Sequence, residues 1–578
     1  MSGQNEMHLF NPVRAATRAV VRAATAAALA GALVVCVPSA QAAPSRSSIV
    51  VNTTSEAEAD GLCALREAVV AANTDQPVDG CGSGGEMDRI LVPQGTYTLT
   101  QGSLAFGAAT ELRGYGAVVQ RPAGERPPYW YEAMARIDAT AQVVLKGVSF
   151  DGLGVECGGL INDGHLLMMD GAITRMGYGD PPTSCTAPGA FVNRGIATLV
   201  RSSITNSQGW TTAAFTNTGT LTIIHGLISG NGTATRTQFS NPAASTNGGV
   251  LSIEGTTFRN NGPTSLQNSG SLTLKNSSIQ GIPGMGFALV NEGEAVVARS
   301  SITRSGTGIN NWETGTLTVR DSIIADNVGQ SLSNGPMVGG IENSGRLLLE
   351  RSSITGNRGG GTGGISSSGT LTIKDSTIAG NLAVAWADPS GSSHNPGGAG
   401  GASVGGSASF VNVTVADNHY ELSVDAEGAS RVAGGLHVGA GRVSVTNSVL
   451  ALNGDNQDGD NGDDCIGPVT SLGYTYLQHP DGCNFTTATG DIIGGEPRLG
   501  PLGRHGGRTL TMVPLPDSPL SDHGSPTRPG ADAADACSRH DQRGRHRPVD
   551  GNGDGIARCD IGAVERGPSR QPGIPPIS

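Results

Sequence analysis

The run Asp550-Gly551-Asn552-Gly553-Asp554-Gly555 places oxygen-bearing side chains at positions 1, 3 and 5 and a glycine at position 6. This is the spacing with which a loop wraps a calcium ion. Position 12 of such a loop needs a bidentate acid, but Ile561 stands there and Asp560 falls one residue early. The expectation is weak calcium binding through Asp550, Asn552, Asp554 and Asp560, or else an Asx/Gly turn held by a Cys537–Cys559 bridge. A second acidic stretch, Asp455, Asp458, Asp460, Asp463 and Asp464, reads as a solvated loop. Histidines and carboxylates also gather further up the chain. Asp388 and His394 share one insert, Asp417, His419 and Asp425 lie near the next, and His437 sits on an adjoining strand. A polysaccharide lyase or glycoside hydrolase would draw on such a set, because those reactions need a base beside held carboxylates or two carboxyl groups at a defined separation. Asp321, Asp375, Asn412 and Asn447 recur at a different turn, alternating with Arg201, Arg299 and Arg351, as corner solvation would. Aromatics make up only 4% of the chain, so Trp210, Trp312 and Trp386 are the exposed candidates for stacking on a sugar.

These residues are carried by a repeat. Asn-Thr-Gly-Thr-Leu-Thr-Ile at 217–223 returns as Asn-Ser-Gly-Ser-Leu-Thr-Leu at 268–274, Asn-Ser-Gly-Arg-Leu-Leu-Leu at 343–349 and Ser-Ser-Gly-Thr-Leu-Thr-Ile at 367–373. A Ser follows each, then an apolar residue with Asn three positions later, as in Ile228 to Asn231 and Ile354 to Asn357. Short alternating runs with Gly and Asn punctuation specify strands, and a repeat of about 21–24 residues holds three of them. The architecture expected is all-β, a right-handed parallel β-helix of the pectin-lyase-like solenoid type. Leu221, Leu272, Leu317, Leu347 and Leu371 should stack inside at about 4.8 Å per coil, with Ile223, Leu274, Val319, Leu349 and Ile373 as a second column. Asn231, Asn261, Asn327, Asn357, Asn381, Asn418 and Asn453 should line one turn, since Asn tolerates left-handed backbone angles and stacked amides bond along the axis. Ser207, Ile282 and Ser305 interrupt that ladder. Inserts after this turn, at 232–246, 328–336, 382–399 and 419–432, emerge on one side of the rod, where binding would evolve.

The chain begins with Arg14, Arg18 and Arg22 before an apolar run at 23–37 and an Ala40-Gln41-Ala42 cleavage signature. Residues 1–42 therefore read as a secretory signal, and no later apolar run reaches spanning length. Beyond Cys36 the cysteines fall into near pairs: Cys63 with Cys81, Cys157 with Cys185, Cys465 with Cys483, and Cys537 with Cys559. Each closes a loop of about 20–30 residues, which a disulfide stabilises by about 3 kcal/mol in an oxidising compartment. The formal net charge is −12 and lysines are scarce, so the basic footprint of a nucleic-acid partner is missing.

Leu65, Val69 and Ala72 share one face of a short helix that would cover the open end of the stack. Cys63-Ala64-Leu65-Arg66-Glu67-Ala68 with Ala71-Ala72-Asn73, continuing through 89–93, 95–99 and 112–114, resembles the CSLREA domain at the start of secreted bacterial β-helix proteins. Arg66 and Glu67 read as local salt-bridge formers. The central Gly-Gly-Ile and Ile-x-x-Asn pairing is similar to the repeats of chlamydial polymorphic outer membrane proteins, although no C-terminal barrel is visible. Toward the end, 490–492, 497–502, 506–511 and the closing Cys559-Asp560-Ile561-Gly562-Ala563-Val564-Glu565 resemble the choice-of-anchor Q module. Arg504-His505 and Ser521-Asp522-His523 depart from its usual pattern. The organisation expected is a signal at 1–42, an N-terminal cap at 43–116, repeats at 117–453, a small disulfide-bearing module at 454–566 and a tail at 567–578. The resemblances imply an exported protein of the cell surface or extracellular space, with the periplasm as a further compartment. Its expected role is a non-catalytic scaffold or adhesin with one loop-bearing face for a surface ligand such as a glycan; the alternative is a polysaccharide-active enzyme.

Overall fold

The computed structural model describes residues 46–122, 132–153, 158–177, 189–209, 212–233, 243–281, 286–329, 338–385, 398–422, 432–455 and 464–567. The signal segment, Cys157 and Cys185, Trp210 and Trp386, and Asp388, His394, Asp425, Asp458, Asp460 and Asp463 lie outside them. One coil consists of Phe215–Asn217, Thr220–Ile224 and Leu227–Ser229. The next, Ser245–Asn247, Val250–Glu254 and Thr257–Arg259, pairs with it strand for strand in parallel. Repeated along the chain, this makes the right-handed parallel β-helix that the repeat specifies. Leu221 lies in register with Leu251, then Leu272, Ala295, Leu317, Leu347 and Leu371. Ile223, Ile253, Leu274, Val297, Val319, Leu349 and Ile373 form the second column, and all these side chains are buried. Each buried Leu contributes about 1.5–3 kcal/mol, and the columns merge into one apolar core from Ile49 to Leu477.

The helix Leu65–Thr74 buries Leu65, Val69 and Ala72 in that core at its N-terminal end. Arg66 pairs with Glu56 at 3.0 Å and donates to the Ser103 and Gln101 carbonyls, while Glu67 accepts from the Ala64 amide at 2.9 Å. Arg66 thus ties the helix to the first coils, and Glu67 closes its first turn instead of forming an ion pair.

Two amide ladders run along the rod. In the expected one, Asn357 receives a bond from Asn327 and gives one to Asn381, both at 2.9 Å, and the file continues through Asn418 and Asn453. The left-handed backbone falls one residue earlier than expected, at Gly356, Gly380 and Asp417, because the ladder Asn must turn inward. The ladder ends on Asp464, whose carboxylate accepts from the Asn453 side chain at 2.9 Å. Asp464 is buried, which raises its pKa, so it is a ladder terminus and not part of a solvated loop. The second ladder, absent from the sequence reading, joins Asn162, Asn193, Asn217, Asn247, Asn268, Asn291, Asn311 and Asn343. Its signal was the Asn of the recurring Asn-x-Gly, in which Asn311 alone of these departs, with Gly315 four residues on. The glycine there is needed for close stacking, since a Cβ on Gly219 would sit 2.1 Å from the Gly195 carbonyl oxygen. Asn357→Ala should cost about 1–3 kcal/mol, because it strands buried partners on both neighbouring coils. A lowered chemical-denaturation midpoint with unchanged slope would report it.

Parallel pairing continues beyond Asn453 through Cys465–Ser471, Tyr476–Leu477, Cys483–Thr486 and Ile492–Ile493. Disulfides join Cys63 to Cys81, Cys465 to Cys483, and Cys537 to Cys559, with Cα separations of 4.6, 5.2 and 6.7 Å. Residues 497–566 then form a module of turns and isolated bridges that folds back along one flank of the rod. Among the described residues no helix is long and apolar enough to cross a membrane.

Candidate functional site

Between the second and third strands of each coil the chain bends through one left-handed residue. Asp170, Arg201, His225, Gly255, Asn276, Arg299, Asp321, Arg351, Asp375, Asn412 and Asn447 all have φ between 45° and 60°. Backbone bonds join successive members of this corner, as from the Arg299 amide to the Arg320 carbonyl at 3.0 Å. Adjacent members therefore stand about 4.8 Å apart, the parallel-strand spacing.

The upper part of the corner is not solvated, as its charge alternation suggested, but docks the C-terminal module. Asn447 accepts from the Ser525 amide at 2.8 Å and donates to the Asp535 carbonyl at 2.8 Å. Asn412 accepts from the Ser538 amide at 2.8 Å. Gln542 donates to the Ser352 carbonyl at 3.2 Å and accepts from the Thr377 hydroxyl at 2.6 Å. Behind these contacts lies a buried charge network. Arg547 donates to Glu565 at 2.7 Å and to the Asp560 and Gly562 carbonyls, and its guanidinium lies 3.9 Å from Asp375. Arg543 is held by Asp541 at 2.7 Å. Burial raises the carboxyls of Asp560 and Glu565, and it pushes Asp375 up to about 7.

The module stops at the Arg351 coil, and the step it leaves is a groove of about 510 Å³. Its floor is the start of the third-strand face, where Thr257, Ser278 and Ser301 are part-exposed while the Thr256, Ser277 and Ser300 hydroxyls turn onto backbone carbonyls, beside Asn276, Arg299 and Asp321 of the corner. Arg504 and Arg508 overhang it from the tip of a hairpin closed by the Gly503–Thr511 bridge. That tip is held on two sides. The Thr509 hydroxyl and Leu510 amide bond to Arg351 and Ser353 of the solenoid at 3.3 and 3.4 Å, and Arg543 donates to the His505 carbonyl at 3.3 Å. Asp321 is already engaged by Arg351 at 2.8 Å. At the groove's edge the exposed His225 ring lies over Gly255, where an added Cβ would come within 2.3 Å of Nδ1. The 506–511 motif and the Arg504-His505 departure from it are visible in the sequence, but only the folded-back module sets Arg504 and Arg508 over the Arg299 coil.

Of the other candidates, Asp417 and His419 meet at 3.2 Å, while His437 lies on another strand against Ser403 at 3.4 Å. Burial lowers the pKa of His437. Asp550 accepts from the Gly553 and Gly555 amides, and Asp554 accepts from the Ile556 amide, so these side chains form Asx turns in an exposed loop. Asp560 is buried and accepts instead from the Asp522 amide at 2.8 Å. Trp312 is exposed. No group of three or more His, Cys, Asp or Glu side chains placed to hold a metal occurs among the described residues.

Comparison with known proteins agrees on the fold. A family model described as a right handed beta helix region matches residues 243–421. No curated protein matches the chain in sequence. Among solved structures, the periplasmic alginate epimerase AlgG is similar at 12% identity and TM-score 0.34, over 62% of this chain and 85% of that one. The alginate lyase AlyF-OU02 is similar at 13% identity and TM-score 0.31, over 60% and 82%. The Azotobacter vinelandii mannuronan C-5 epimerase AlgE4 A-module is similar at 11% identity and TM-score 0.26, over 76% and 94%.

Proposed function

We propose that this β-helix is an exported, polysaccharide-active protein that holds a glycan segment in the groove between its corner and the hairpin tip. The observation that supports this most is the lining itself: a row of Thr257, Ser278 and Ser301 hydroxyls on successive coils, the Asn276 amide and the guanidiniums of Arg299, Arg504 and Arg508, open along the rod. Hydroxyls and amides in a regular array match the donors and acceptors of a sugar chain, and a parallel sheet presents them at a fixed repeat. For turnover, the exposed His225 imidazole at the groove's edge is the candidate proton acceptor. The second reading is a scaffold that binds glycan without cleaving it. It is favoured by the single groove carboxylate, Asp321, being neutralised by Arg351. The CSLREA-like cap and choice-of-anchor-like module fit either reading at a cell surface.

Incubation of the mature protein with a panel of bacterial, algal and plant polysaccharides tests both. Retention with new reducing ends or unsaturated products, lost in His225→Ala while retention persists, supports the enzyme. Retention without products supports the scaffold, and no retention of any glycan sinks both.

A further inference from the structure

Arginines at the open corner follow a pairing rule. Each salt-bridged one reaches back one coil to an aspartate: Arg201 to Asp170 at 2.7 and 2.8 Å, Arg351 to Asp321 at 2.8 and 3.2 Å. Arg299 breaks the rule. The residue one coil earlier is Asn276, and Arg299 Nε donates to its neutral amide oxygen at 3.0 Å. At the hairpin tip, Arg504 donates to the Arg508 carbonyl at 3.2 Å. Neither Arg504 nor Arg508 forms an ion pair with a carboxylate among the described residues. Three guanidiniums thus converge on one groove whose only carboxylate is already neutralised. The whole chain carries a formal charge of −12, so this local field runs against its average. At physiological salt charges are screened over about 8 Å, so a ligand inside the groove responds to the arginines and not to the distant acids.

We infer that the groove takes a polyanionic glycan. Its carboxylate or sulfate groups are received by Arg299 from the solenoid and by Arg504 and Arg508 from the module, and its hydroxyls by the Ser and Thr floor. The guanidinium fork matches both anions in two-point contact. Because Arg299 and the hairpin tip belong to segments about two hundred residues apart, the ligand bridges solenoid and module. This inference rests on the polysaccharide reading and adds the ligand's charge and the residues that recognise it.

The test is affinity electrophoresis of the full chain in gels holding polygalacturonate, its fully methyl-esterified form, dextran sulfate or dextran, with duplex DNA as a non-glycan polyanion. Expected is retention by polygalacturonate or dextran sulfate, whichever anion fits, weakening with salt. Arg299→Gln and the Arg504→Gln/Arg508→Gln pair should each weaken it by about tenfold or more, while Arg299→Lys weakens it less. All three variants should melt like the parent, since these side chains make few contacts. Equal retention of the esterified or uncharged polymers would overturn the charge assignment and leave the glycan reading standing. Retention of DNA equal to that of the acidic glycans would overturn the glycan class. No retention by any polymer would sink both.

Discussion

Arg547→Met should release the C-terminal module from the flank of the rod. The guanidinium is buried and holds Glu565 at 2.7 Å, the Asp560 and Gly562 carbonyls at 3.1 and 2.8 Å, and Asp375 at 3.9 Å. Methionine keeps much of the volume but leaves Glu565 without its paired cation and takes from Asp375 the stronger of its two cations, Arg351 being the other. Breaking a buried ion pair from one side costs about 3–5 kcal/mol, against about 0–1 kcal/mol for an exposed one. Limited proteolysis should then cut within 494–566, while far-UV circular dichroism still reports the solenoid. Arg558→Met, at an exposed position in the same module, is the control. A variant that resists protease as the parent does would show that the network does not carry the docking.

Docking should also weaken as pH rises. Burial pushes the Asp375 carboxyl up to about 7, outweighing the downward pull of Arg547, Ser538 and Arg351, with Asp541 adding to the rise. A raised carboxyl pKa means that the docked state prefers the protonated form. Its contribution is fully present below the ordinary aspartate value of 3.8 and is lost as pH climbs through about 7. A shift of this size corresponds to about 4 kcal/mol at 1.36 kcal/mol per unit. Protease resistance of the module should therefore be greatest below about pH 4, fall as pH rises towards 7 and level off above it. Asp375→Asn should remove its own part of that fall, leaving the same-signed share of Asp560 and Glu565, whose carboxyls are also raised by burial. A parent whose resistance is flat from acid to alkaline pH would refute the assignment.

Much of the solenoid was legible because each coil repeats its own instructions. Leu221 and Leu272 occupy the same place in a visible phrase, and Asn357 and Asn381 recur three residues after an Ile, so stacking follows from period alone. The second ladder hid inside Asn-x-Gly because its glycine supplied a sufficient reason for the motif. The docking of the module was not legible. Its contacts join residues far apart, as Gln542 and Ser352 are at a separation of 190, and its own sequence has no period to extrapolate. Asp375, Asn412 and Asn447 were visible as a file, but only the folded-back segment shows that they are buried. The groove inherits the same blindness, since its floor comes from the solenoid and its overhang from the module.

The docked module also acts as a ruler. It touches Ser352, Thr377, Asn412 and Asn447 on successive coils, the first two through Gln542, the third through Ser538 and the fourth through Ser525. A coil duplicated or deleted between Ser352 and Asn447 would put these stations out of step with a segment that cannot stretch to match. A coil gained or lost before Gly255 would disturb none of them. The rod can change length through its N-terminal half alone, so any lineage of longer or shorter versions should vary there and keep the same number of turns beneath the module.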